Sequence, residues 1–271
     1  MKKVLVTGAG GFLGARVMEQ WKGRYELCSF PKGFLNSADE AAVRQRILQE
    51  RPQVILHAAA LSDTGYCAQY PEQAYRANVQ LPAWVAVAAR DTGAKLLALS
   101  SDQVYAGTEQ PGALPETLKL QPSNLYGRYK LEMEQRVLEI LPEAVMLRAE
   151  WMYDLRAPKP NYLLNVLRAE GTVAFSSRQY RGVTYLGEVA EAMDRVLALP
   201  GGAYNFGSET TLSMQELTKR LAALLGKPLA VEDAPPRHNL WMDCGKAARY
   251  GVVFSDVLTG LTKCLQEYGL L

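Results

Sequence analysis

Short apolar runs alternate with longer stretches of helical periodicity through the first half of the chain. VLVTG precedes FLGARVMEQW, YELCSF precedes ADEAAVRQRILQE, and QVILHAAA precedes QAYRANVQLPAWVAVAARDTG; KLLALSS and AVMLRAEW then flank the segment around Tyr126. Continuous Val/Ile/Leu runs suit strands buried on both faces, with the helical stretches as crossovers. The pattern predicts an α/β fold with a Rossmann-type, doubly wound parallel sheet over residues 1–150. Beyond residue 151 the rhythm changes, which predicts a smaller domain over 151–271, with about 182–205 returning to the first. In LSMQELTKRLAALLG, Ser213 and Glu216 have capping-box spacing, Leu217, Leu221 and Leu224 share a face, and Gly226 and Pro228 stop the helix. That helix reads as packing. A ligand is expected in the cleft between the two domains.

Composition narrows the function. With 271 residues, 48% of them apolar, the chain can fill such a core. A net charge of +2, from 30 basic and 28 acidic residues, gives no broad positive field for a nucleic-acid backbone. No apolar stretch approaches the roughly 20 residues of a membrane span, and glycines interrupt the apolar part of the N-terminal segment, which argues against a signal peptide. Cys28, Cys67, Cys244 and Cys264 contain no CxxC pair, so they read as reduced thiols of a cytoplasmic protein. The two histidines, His57 and His238, have no carboxylate cluster of ligand spacing beside them, and no catalytic metal is expected.

TGAGGFLG at 7–14 follows a predicted strand and opens a predicted helix. Gly8, Gly11 and Gly14 have TGxxGxxG spacing, which serves a tight turn, close approach of backbone to a pyrophosphate, and close packing of helix on sheet. Backbone N–H groups and the positive end of the helix then face the anion. The second strand ends CSFPKG, without the acidic residue that holds the adenosine ribose of NAD. Lys32 stands where a cation neutralises a ribose 2′-phosphate, with Arg16 and Lys3 as other candidates. NADP(H) is therefore preferred over NAD(H), which remains an alternative.

Tyr126 and Lys130, in NLYGRYKLEME, are four apart and share a helix face. Upstream, SSDQVYAG (100–107) closes the fourth apolar run, so Ser101 is expected in the same crevice at the carboxyl end of the sheet. A phenol of ordinary pKa near ~10 exchanges its proton reluctantly at neutral pH. An ammonium ~4 Å away at an effective dielectric of ~20 favours the phenolate by about 4 kcal/mol, so the pattern predicts a Tyr126 pKa lowered towards neutrality.

Ser, Tyr and Lys behind a TGxxGxxG loop resemble the extended branch of the short-chain dehydrogenase/reductase superfamily. Within it, GAGGFLG, RPQVILHAAA, PEQAYRANV, SSDQVYAGTEQP, NLYGRYKLEMEQ, MLRAEWMYD, TYLGEVA, GAYNFGS and PRHNLWMDCGK are similar to the dTDP-4-dehydrorhamnose reductase family over nearly the whole chain. The resemblance implies a Rossmann domain carrying a substrate-binding domain, and reduction of a 4-keto nucleotide sugar. In that role Tyr126 gives the proton, Lys130 holds the nicotinamide ribose, Ser101 steadies the carbonyl oxygen and Asp102 completes the catalytic set. It places the cofactor on Gly8, Gly10, Gly11, Phe12, Leu13, Gly14, Lys32, Ala58, Ala59 and Ala60, with Tyr126 and Lys130.

On the substrate side it implies Ser101, Gln103, Tyr105, Trp151, Gln179, Arg181 and Arg237. Trp151 reads either as a neighbour of the nucleotide base or as core; Arg178, Gln179 and Arg181 read as diphosphate contacts or as a solvated loop. Gln103 stands where nucleotide-sugar dehydratases carry a Glu base, which disfavours dehydration. A nucleotide-sugar 4-epimerase is a further reading. So is a non-catalytic regulatory subunit resembling methionine adenosyltransferase beta. A homodimer is compatible with the resemblance. LSDTGYCAQYPEQA departs from the reductases' usual TAVDKAE-like stretch and leaves the sugar open.

Overall fold

A computed structural model describes residues 1–156, 160–236 and 238–271. The apolar runs form strands β1 (Lys3–Thr7), β2 (Glu26–Ser29), β3 (Val54–His57), β4 (Lys95–Ser101), β5 (Val145–Ala149), β6 (Trp151–Tyr153), β7 (Thr172–Phe175), β8 (Val183–Tyr185), β9 (Gly202–Phe206) and β10 (Ala230–Asp233). Six of them make one parallel sheet in the order β2-β1-β3-β4-β5-β9. The chain runs outward from β1 in both directions, so a crevice opens beyond the carboxyl ends of β1 and β3. Register brings Thr7 opposite His57 and Ser101 opposite Ala149, which aligns the strand ends that carry the motifs.

Alternation along each strand divides the core. Val4, Val6, Leu56, Leu97 and Leu147 face the helices Phe12–Gln20 and Leu186–Val196 on one side. Leu5, Ile55, Leu96 and Met146 face the helices Glu40–Glu50, Leu81–Thr92 and Leu125–Ile140 on the other. Each such side chain, fully buried, contributes about 1.5–3 kcal/mol of hydrophobic stabilisation. β9 closes one edge of the sheet, so part of the second half of the sequence belongs to the first layer structure.

The remaining C-terminal residues build a second core from Tyr153, Leu163, Val183, Tyr185, Leu217, Leu221 and Leu261, beside the small parallel pairs β6–β8 and β7–β10. Ser213 caps the helix Met214–Leu224 by accepting from the Glu216 N–H. Leu217 and Leu221 are buried there, whereas Leu224 is partly exposed at the last turn. Arg16 joins the two cores through Glu267 at 2.8 Å and the Tyr185 hydroxyl at 3.3 Å.

The long helical stretch 71–92 is interrupted. Residues Arg76–Gln80 form a π turn, with the Leu81 N–H donating five residues back to the Arg76 carbonyl. Pro82 has no N–H to give, and a widened turn ahead of it absorbs the missing bond.

The helix Leu125–Ile140 is tied to the sheet by a buried ion pair. Arg148, in β5, reaches Glu134 at 2.8 Å through Nη2 and 3.0 Å through Nε. Ser100 donates to the same carboxylate at 2.5 Å, and Arg148 donates to the Tyr105 hydroxyl at 2.8 Å. Glu134→Ala would strand a buried guanidinium and should lower the unfolding free energy by about 3–5 kcal/mol. Urea denaturation followed by circular dichroism measures this, and a loss under about 1 kcal/mol would mean that Arg148 is held by other groups.

Candidate active site

The glycine loop is shaped by contacts that a side chain would destroy. Gly8 has φ +69°, and a Cβ there would lie 2.8 Å from the Ala59 nitrogen. A Cβ on Gly14 would run into the Gly8 carbonyl oxygen, so the helix Phe12–Gln20 can sit this close only with glycine at that position. Gly11 donates its N–H to Gly8 O at 2.8 Å, and the Gly11 cap makes no side-chain hydrogen bond among the described residues. The turn, the open helix N-terminus and the Ala58–Ala59–Ala60 segment thus form one backbone-lined cradle, suited to a pyrophosphate. Phe12 is half-buried and Leu13 buried at its base, while Gly10 is exposed with open space where a Cβ would go.

Lys32 lies exposed in the turn after β2, at the same edge of the sheet. Lys3 begins β1 at the opposite edge, where it pairs with Glu50 at 2.8 Å, so it is no candidate for the phosphate. Arg16 is committed to the seam between the two cores. Lys32 differs from both in lying exposed after β2.

Tyr126, Ser101 and Lys130 converge. Asn124 caps their helix by accepting from the Gly127 N–H at 2.8 Å, and it donates to Gln103 Oε1 at 2.9 Å. A Cβ on Gly127 would strike the Gln103 carbonyl, so glycine lets this first turn press against the 3-10 turn Asp102–Tyr105. Tyr126, 6% exposed, lies near enough to Ser101 for that hydroxyl to act on its phenol. Lys130, 1% exposed, lies 5.8 Å from the centre of the Tyr126 ring and donates to Leu99 O at 2.7 Å.

The expected acidic shift of the phenol is not found. Burial drives the Tyr126 pKa upward against the influence of the Ser101 hydroxyl, and the negative charge of Asp102 adds to the rise. Lys130 has its ammonium on the Leu99 carbonyl, and burial lowers its pKa to about 8 although Glu134 opposes the change. Desolvation disfavours both charged forms. At neutral pH the site therefore holds a neutral phenol beside an ammonium that is readily deprotonated.

His57, at the end of β3, is 1% exposed, with Nδ1 2.9 Å from Thr7 Oγ1 and, among the described residues, no partner at Nε2. Burial, then the charge of Lys130, lowers its pKa to about 3, so the ring is neutral. Among the described residues no group of three metal-ligating side chains occurs.

Residues 1–231 match the RmlD substrate binding domain family. The chain belongs to that family. The dTDP-4-dehydrorhamnose reductase of Streptomyces griseus is 32% identical over 236 residues, which cover 80% of this chain and 75% of that protein. Methionine adenosyltransferase 2 subunit beta of Xenopus tropicalis is 30% identical over 281 residues, covering 93% and 83%. A crystal structure of dTDP-4-dehydrorhamnose reductase from Bacillus anthracis in complex with NADP shares the fold, with TM-score 0.87 at 24% identity, over 98% of this chain and 99% of that one.

Several residues expected at the substrate side of this RmlD-family chain have other duties. Tyr105 is fully buried, donating to Asn205 Oδ1 at 2.8 Å beneath Arg148, because the 3-10 turn points its ring into the core; it does not line the cleft. Asp102 receives Ser101 Oγ at 3.1 Å on one oxygen and Arg181 Nε at 2.8 Å on the other, which makes it a positioning group rather than a free catalytic acid. Arg181 is 4% exposed, with Nε and Nη2 committed to Asp102.

Its guanidinium also lies 3.7 Å from the centre of the Trp151 ring, which is 45% exposed and therefore not core. Gln103 and Gln179 are half-buried. The Gln179 carbonyl accepts from the Met214 N–H. Arg237 lies outside the described residues.

Gly127, Asn124, Glu134, Arg148 and Glu150 lie outside the residues expected from sequence. Asn124 and Gly127 were legible as an N-cap and a glycine inside a helical pattern; the buried charges carried no local signal. Gly14→Ala should cost about 1–3 kcal/mol of stability through overpacking and abolish measurable NADPH binding by calorimetry. Unchanged affinity in a folded variant would refute the cradle.

Proposed function

We propose that this chain is an NADP(H)-preferring reductase of a 4-keto nucleotide sugar. The reading rests on one observation above all: a buried neutral phenol beside the Ser101 hydroxyl and the Lys130 ammonium, at the carboxyl edge of a sheet whose first loop is a glycine-shaped backbone cradle. Relatives named dTDP-4-dehydrorhamnose reductase support the substrate class. The structural neighbour carrying NADP supports the cofactor.

The cradle of Gly8, Gly11 and Gly14 would hold the pyrophosphate, Lys32 the 2′-phosphate and Lys130 the nicotinamide ribose. The dihydronicotinamide supplies the hydride when bound. Ser101 orients the substrate carbonyl, and Tyr126 gives its proton to the oxygen, so the ketone becomes an alcohol and the residue a phenolate. Protonation from solvent then restores the phenol, with the Lys130 ammonium favouring the transient anion. Because the resting phenol is neutral, the donor is loaded over the whole neutral range. Asp102 and Arg181 hold Ser101 and Trp151 in place at the two ends of the cleft. Four free thiols suit a cytosolic setting.

Turnover of dTDP-linked 4-keto sugars with NADPH or NADH tests this. Tyr126→Phe should lower kcat about 10²–10⁴-fold, the range for loss of general acid catalysis, with NADPH affinity retained. Wild-type protein that binds NADPH, converts no keto-sugar and forms a stable complex with a methionine adenosyltransferase catalytic subunit would instead establish a regulatory subunit.

Lys32→Ala should raise the KM for NADPH about tenfold, as expected for one charge-assisted hydrogen bond of about 1.5 kcal/mol, and leave the KM for NADH unchanged. Equal changes for both cofactors would remove Lys32 from the 2′-phosphate site.

A further inference from the structure

Beneath the Arg181–Trp151 stack lies a second carboxyl that the proposed reaction does not use. Glu150 follows β5 at the carboxyl edge of the sheet and is 6% exposed. Its Oε1 accepts from the Thr184 hydroxyl of β8 and from the Ser208 N–H at 2.8 Å. Gly182 and Gly207 close on it from both sides, since a Cβ on either would strike the carboxyl group. The glycines make a fitted slot for this side chain.

The charges around the slot do not balance. Arg181, immediately before Gly182, is a buried cation, and its ion-pair partner is Asp102 at 2.6 Å. Glu150 interacts with that guanidinium through space without forming an ion pair, while Asp102 repels it. The other ionisable groups coupled to it are the Cys244 thiol and the Tyr153 hydroxyl, both of which burial holds in their neutral forms. One buried cation thus serves two carboxyls. A proton on the second removes the excess charge.

We propose that Glu150 is a proton-binding positioning residue. In its neutral form it leaves Arg181 to Asp102 and the Trp151 ring; once ionised it draws the guanidinium away from Asp102 and alters the Trp151 stack. Burial, only partly offset by the Thr184 and Ser208 hydrogen bonds, raises its pKa to about 8, so the exchange falls in a range where a small change of pH changes the population. The folded pKa lies above the ordinary carboxylate value. The stabilisation from this group is therefore complete at low pH and is lost as pH rises through about 8.

The test needs no substrate, which separates it from the reductase reading and from Lys130, whose pKa also falls near 8. Tryptophan emission of the full chain, with the Trp151→Phe signal subtracted to isolate Trp151, should show a transition near pH 8. Glu150→Gln should abolish it, and Lys130→Met should keep it. The Tm advantage of Glu150→Gln over wild type should widen from pH 5 to pH 8.5 and then level off.

Asp102→Asn offers Arg181 to Glu150 alone and should move the transition at least one pH unit to the acid side. This keeps the proposal testable if Glu150→Gln does not fold. A Trp151 transition that survives in Glu150→Gln, a Tm difference constant with pH, or a midpoint unmoved in Asp102→Asn would each overturn it.

Discussion

The buried pair of Arg148 and Glu134 is the constraint on which the geometry of the candidate site depends. Lys130 precedes Glu134 by one helical turn, and Tyr126 precedes Lys130 by another, so fixing Glu134 against β5 fixes the rotation of the helix about its axis. Compared with an apolar pair of the same volume such an ion pair contributes little net stability, because desolvation of both charges offsets their attraction. What it supplies is direction. A Leu–Leu contact at the same place would tolerate a slide of the helix that carries Tyr126 away from Ser101, whereas the two-pronged guanidinium contact, with Ser100 and Tyr105 attached, admits one register.

Held in that register, tyrosine and lysine enter a medium in which charge is disfavoured. From spacing alone, Coulomb attraction is the dominant effect and predicts an acidic phenol. In the folded protein burial is the largest cause for both groups: the phenol becomes less acidic and the ammonium more so. The outcome suits reduction, which consumes a proton from the donor, and so requires a phenol that is protonated before reaction rather than a phenolate. Burial loads the donor. The ammonium then matters most after the proton has gone, when negative charge develops on the tyrosine oxygen.

The sheet was legible in the sequence because its strands are buried on both faces and show as unbroken apolar runs. The glycine loop was legible because its spacing encodes steric exclusion, visible at Gly8 and Gly14. Side-chain direction was not. SSDQVYAG locates a turn at a strand end, but which residues of the turn face the cleft depends on its 3-10 geometry, which sends Ser101 towards Tyr126 and Tyr105 inward. Nor could pairing over long separations be read: Arg181 meets Asp102 across 79 positions, and a lone arginine in a loop reads equally well as a phosphate contact.

Arg181 shows why the residue type matters at that pairing. A guanidinium can bond edgewise to a carboxylate while laying its flat face on an aromatic ring, and both contacts are present here, to Asp102 and to Trp151. A lysine at this position would have to choose between them, since its ammonium has no face distinct from its donors. This one buried guanidinium therefore links the end of the cleft that holds Ser101 to the end that exposes Trp151. A shift of the guanidinium cannot leave either end unaffected. Chemistry at the carbonyl and packing at the aromatic wall are thus coupled through one side chain, and Glu150 is the group whose charge can move it.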